Sequence, residues 1–308
     1  MAAALRTNAN LDQYWPDKRR VTIVGAIWNL ILAVGKIAAG IVGQSQALIV
    51  DGIHSLSDMV SDAVVLVAAR WSAIEADHNH PYGHGRIETV ATAIVGVLLL
   101  AVAIGFIVDA VLRLLEPERL MRPSWLALWA AAVSVGIKEI LFWYTRRVAQ
   151  HARSNLIMAN AWHHRSDALS SVVVIAGVVG AMGGLLWLDA IAAILVAGTV
   201  AVMGGRFAFN SLVELVDTAV PPRRQKELAG IIMAVDGVHD FRNLRTRMMG
   251  GQVVMDVCVL LDPQLSLAEA DRLAAEVRRG LLDGSTEVSD AVVSVAPAWS
   301  GMRRRRSA

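Results

Sequence analysis

Asp51, His54 and Asp58 stand at i, i+3 and i+7, so on a helix turning every ~3.6 residues they share one face. Asn160, His163 and Asp167 repeat that spacing, with Asn in place of the first Asp. Each set puts a His and an Asp one turn apart, about 6 Å along the axis. Two such pairs converge on two nitrogens and two oxygens, a donor set suited to tetrahedral Zn²⁺. Octahedral Mn²⁺ or Fe²⁺ would need more oxygens, which Asp51 and Asn160 are placed to add. Imidazole and carboxylate bind metal only when deprotonated, so metal binding releases protons and exchange of one for the other becomes available.

Both sets lie inside runs that read as membrane-spanning helices. Of the 308 residues, 55% are hydrophobic and 18% charged, and the mean hydropathy is +0.50. That balance is too apolar for an ordinary soluble chain and points to a polytopic membrane protein. Six apolar blocks are expected at about 21–42, 47–72, 87–115, 124–145, 155–182 and 186–215, each long enough to cross ~30 Å of hydrocarbon. The first block is expected to stay attached, since no small-residue cleavage site closes it. Basic clusters at Lys18–Arg20, around His78–Arg86 and at Arg146–Arg153 place both termini on the cytoplasmic side. A carboxylate at mid-bilayer costs roughly 2.5–3.5 kcal/mol on insertion scales, so Asp58 and Asp167 require a partner. A metal is one answer. A plain interhelical salt bridge is the other, with Lys36, Lys138 or Arg165 as cation, although Lys138 has Glu139 beside it. His164 and Arg165 are expected to point away from the stripe.

Near residue 219 continuous apolar runs give way to soluble patterning. The division is then a cytoplasmic N-terminal segment 1–17, a membrane domain 18–218, a cytoplasmic domain 219–297 and a basic tail 298–308. In the third part a helix over 223–235, strands over 238–248 and 252–260 flanking Gly250-Gly251, a helix opened by the capping pair Ser266/Glu269, and a strand over 291–295 give an α-β-β-α-β order. The single cysteine, Cys258, excludes a disulfide framework. The formal net charge of +2 gives no ground for a nucleic-acid partner, and the Arg303–Arg306 run reads as a solvated or lipid-headgroup-touching end.

At these residues the chain resembles the cation diffusion facilitator family of divalent-metal/proton antiporters. The likeness rests on Ala47–Asp58, on His80-Pro-Tyr-Gly-His84-Gly-Arg86, on Asn160–Asp167 and on Asp217–Pro221. It implies a homodimer in the cytoplasmic membrane, six all-α spans, a transport site between the second and fifth helices, and a cytoplasmic ferredoxin-like domain. It also implies a second metal site in the loop, at Asp77, His80 and His84, and a charge pair between Arg86 and Asp217 tying the third helix to the sixth. No cofactor is implied beyond the transported cation. The positions that crowd His and Asp in zinc-binding cytoplasmic domains of the family hold Arg242, Cys258, Asp271, Ser294 and Ala296 here, against a binuclear zinc site. His239, Asp240, Asp256 and Cys258 stay open for another metal.

The sequence thus points to an exporter of Zn²⁺, with Fe²⁺, Mn²⁺, Cd²⁺ or Co²⁺ as alternatives. Two other classes remain beside it. A metal-sensing membrane scaffold would use the same residues without flux. An intramembrane metalloenzyme would need an open coordination position and a base or nucleophile, and no HExxH or placed Ser/Cys partner supplies them.

Overall fold

The computed structural model describes residues 15–72, 74, 76–151 and 154–298. Residues 1–14 of the N-terminal segment and the Arg303–Arg306 run lie outside the described residues. Six long helices come first: α1 (Trp15–Val42), α2 (Gln46–Ser72), α3 (Arg86–Leu115), α4 (Trp125–His151), α5 (Asn155–Met182) and α6 (Trp187–Leu215). All six are long and apolar enough to cross a membrane, and only 22–44% of each apolar stretch is buried within the chain. The remaining apolar surface faces outward, as a lipid-embedded bundle requires. The chain is a multi-pass membrane protein.

Arg146 and Arg147 were expected in a connection, but α4 runs through both to His151. No Gly or Pro falls between Ile137 and His151, and long basic side chains can carry their charge to water while their backbone stays helical.

The described residues form two compact units, one holding those up to Val64 with Val95–Phe207, the other Val65–Ile94 with those from Ala208 onward. The first unit packs on small and branched residues, including Leu48, Val50, Ala110, Ala131, Val174, Val178, Ala193 and Ala197. Small residues let helix backbones approach closely where lipid supplies no hydrophobic drive. Asp189, at the start of α6 and 5% exposed, accepts from Ser45 Oγ (2.6 Å) and from the Gln46 backbone N–H (2.7 Å). It thereby satisfies a free N–H of α2's first turn and sets a negative charge against the positive end of that helix.

The second unit contains α7 (Pro222–Met233), β1 (Asp240–Met249), β2 (Gln252–Leu261), α8 (Leu267–Gly284) and β3 (Val288–Pro297), the ferredoxin-like order read from the sequence. The sheet order is β1-β2-β3, with β1 antiparallel and β3 parallel to the central β2. Gly250 and Gly251 carry φ of 59° and 74°, the two positive angles a tight I′-type hairpin demands. Ser266 and Glu269 form the full capping box at the start of α8. Val253, Met255, Val257 and Val259 of β2 pack against Leu228, Ile232, Val277 and Leu281 of the two helices, the alternate-residue face of a strand meeting two helix stripes. Cys258 is a buried free thiol.

Candidate metal centre

α2 and α5 carry the two stripes, and the first unit brings them together. His54 Nδ1 lies 3.8 Å from Asp58 Oδ1, and His163 Nδ1 lies 3.7 Å from Asp167 Oδ1. Between the helices, His163 Nε2 is 4.0 Å from Asp58 Oδ2. One ligand atom each from His54, Asp58 and Asp167 lies within 4.8 Å of the others. The His54–Asp58, His163–Asp167 and His163–Asp58 separations of 3.8, 3.7 and 4.0 Å fall inside the about 4.4 Å that two ligands each about 2.0–2.2 Å from a common metal can span. His54, Asp58 and Asp167 are largely buried, whereas the His163 side chain is 44% exposed. His163 therefore stands at the open edge of the cluster. His54 Nδ1 and Asp58 Oδ2 are buried without a hydrogen-bond partner among the described residues, and a buried polar atom left unpaired is costly unless something else binds it.

Asp51 does not join this cluster. Its carboxylate pairs with Lys36 Nζ at 2.8 Å, both side chains being 1% exposed. It also accepts from Ser171 Oγ (2.7 Å) and Ser170 Oγ (3.2 Å). Lys36 in turn donates to Ser55 and Ser171, so this second polar knot ties α1 to α2 and α5. Asn160 is half-buried, about one turn before His163.

Lys138, a candidate cation in the sequence that its neighbour Glu139 argued against, is the salt-bridge partner of Asp167. Lys138 does not belong to its neighbour Glu139: its Nζ lies 2.6 Å from Asp167 Oδ2, with side-chain exposures of 1% and 6%. Glu139 sits on another face, accepting from Trp143 Nε1 and approaching Arg165. The signal was present in the sequence, because adjacent helical residues do not face each other. His164 does point off the stripe, but inward: it is 1% exposed. Arg165 lies over the Phe142 ring at 4.6 Å.

In the second unit, the loop residues also gather. Asp77 Oδ1 accepts the backbone N–H of His80 (2.6 Å) and of Asn79 (2.9 Å), while Asp77 Oδ2 lies 3.5 Å from His84 Nε2. The His80 and His84 rings are 4.3 Å apart, and one ligand atom from each of the three residues lies within 4.8 Å of the others. The His80 backbone N–H, foremost, holds the Asp77 carboxyl below its ordinary range, so it is ionised and ready as a ligand at neutral pH. At the start of α3, Arg86 forms an ion pair with Asp217 and donates to the Leu215 carbonyl at 3.0 Å. Thr89 Oγ1 and the Gly250 N–H both donate to Glu214.

Residues 22–216 match the family described as the cation efflux transmembrane domain, and residues 220–298 match the cation efflux protein cytoplasmic domain. The chain is 35% identical over 298 residues to metal tolerance protein C1 of Arabidopsis thaliana, covering 92% of this chain and 63% of that protein. It is 32% identical over 286 residues to the manganese efflux system protein MneP of Bacillus subtilis, covering 91% of this chain and 96% of the relative. Magnetosome protein MamB of Magnetospira is 32% identical over 274 residues, covering 88% and 93%. With both family descriptions matched in chain order over nearly all of its described length, the chain belongs to the cation efflux, or cation diffusion facilitator, family and is a divalent metal cation efflux transporter, not an enzyme.

Proposed function

We propose that this chain exports Zn²⁺ across the cytoplasmic membrane in exchange for protons, by alternating access within a homodimer whose termini are cytoplasmic. His54, Asp58, His163 and Asp167 are the ligands. The observation that carries this reading is the joining of two His–Asp pairs from separate helices around buried donor atoms that lack other partners. Two nitrogens and two oxygens favour a four-coordinate ion. Each ligand must lose or lack a proton to bind, so cation entry and proton release are linked. Asp77, His80 and His84 form an accessory site, and Arg86 with Asp217 is a structural pair. The lipid bilayer surrounds the six helices.

A second reading, Mn²⁺ as cargo, is favoured by the manganese efflux relative matched over nearly its whole length. It would draw Asp51 and Asn160 into a higher coordination number. For that, Asp51 would have to leave Lys36.

Flux in proteoliposomes with an imposed pH gradient tests both. Wild type is expected to move Zn²⁺ against the proton gradient, and His54→Ala or Asp167→Ala to abolish it. Zn²⁺ flux unchanged in those variants would overturn the ligand assignment. Preferential inhibition of Zn²⁺ flux by Mn²⁺ would favour the second reading.

A further inference from the structure

Asp58 and Asp167 bring two negative charges to the cluster, and Lys138 brings a positive charge that the two-His, two-Asp donor set does not require. Its ammonium is 2.6 Å from Asp167 Oδ2, and both side chains are almost closed to water. The other lysine buried nearby, Lys36, is committed to Asp51, Ser55 and Ser171. Glu139 faces Trp143 and Arg165. Lys138 is thus the cation that balances Asp167 among the described residues.

Taking Asp167 as a ligand, as in the proposed function above, two consequences follow. A divalent ion that enters beside a fixed ammonium meets a like charge in a medium of low effective dielectric, which weakens its binding. The ammonium also occupies Oδ2, leaving Oδ1, the oxygen turned toward His163, as the free donor. We infer that Lys138 sets affinity and selectivity at the transport centre. It stands in for the metal on Asp167 when the site is empty, holds metal binding weak enough for release, and confines Asp167 to one oxygen. Ions that need few ligands are favoured over ions that need both oxygens of a carboxylate.

The test uses the purified full-length protein, with Zn²⁺ and Mn²⁺ binding by calorimetry and flux in proteoliposomes. Lys138→Gln keeps a donor for Oδ2 and removes the charge; Lys138→Met removes both; Lys138→Arg keeps the charge. Lys138→Gln is expected to tighten Zn²⁺ binding at least about tenfold, about 1.4 kcal/mol, to tighten Mn²⁺ more, and to slow turnover. Lys138→Arg is expected to stay near wild type in Kd. A folded Lys138→Gln with unchanged or weaker Zn²⁺ binding overturns the inference, and Lys138→Met repeats the measurement with the donor gone. His54→Ala and Asp167→Ala separate the two levels. If they bind metal like wild type, the transport-site reading itself fails. If they lose binding while Lys138→Gln does not gain it, only the role of Lys138 fails.

Discussion

Gly52 sits where α2 crosses α1, one residue after Asp51. A Cβ there would lie 2.7 Å from Ile37 Cγ1 and 2.9 Å from the Ile37 backbone nitrogen, so the backbone of α1 would have to move. Gly52→Ala is expected to destabilise by about 1–3 kcal/mol, the usual range for overpacking, and to reduce flux by shifting the helix that carries His54 and Asp58. A thermal melt in detergent beside a flux assay checks both effects. The Lys36–Asp51 pair gives a sharper residue-scale prediction. Asp51→Asn leaves the Lys36 ammonium buried without its counter-charge, at a cost of about 3–5 kcal/mol. Lys36→Met combined with Asp51→Leu is expected to recover much of that stability, measured on the same melts. Single and double variants equally destabilised would refute the pairing account.

At the scale of elements, two helix starts carry specific polar contacts. Asp189 reaches from α6 to the first turn of α2, and Asp189→Ala is expected to destabilise by about 1–3 kcal/mol, the cost of buried donors left unsatisfied. Circular dichroism melts should show it, with Asp189→Asn milder because it retains an acceptor. At α8, the Ser266 hydroxyl and then its backbone N–H hold the Glu269 carboxyl below its ordinary value. A carboxyl depressed on folding stabilises above its unfolded pKa, and the gain disappears as pH falls through the lower folded value. Wild type is therefore expected to lose stability below the ordinary carboxylate range. Ser266→Ala should lower the melting temperature at neutral pH and flatten that acid dependence.

For the whole molecule, the outward apolar surface of the six spans explains why membrane embedding is a condition of the fold: in water that surface would be a large exposed patch. The two donor clusters lie in different compact units, so they are expected to respond separately to mutation. Asp77→Ala with His84→Ala should remove one class of metal sites in equilibrium dialysis while His54→Ala removes the other. Loss of both classes from either substitution would mean that they are not independent.

Six spans and an α-β-β-α-β domain were legible because their signals are local. Apolar length announces a span, two glycines the hairpin, and Ser266 with Glu269 a helix start. The His54–Asp58 and His163–Asp167 pairs were legible for the same reason, since i, i+4 spacing on a helix is a fact of one element. Which partner a buried charge takes is not local. Asp51 looked like a third member of its stripe, yet a helix face is wide enough for residues three apart to meet different neighbours, and α1 offered Lys36. Sequence adjacency suggested Glu139 for Lys138, whereas helical rotation and the packing of α4 on α5 delivered Asp167. The sequence by itself determined the elements and the donor types. Only the tertiary structure decided the pairing, because Coulomb energy depends on distance between helices, and no residue spacing within one helix encodes that distance.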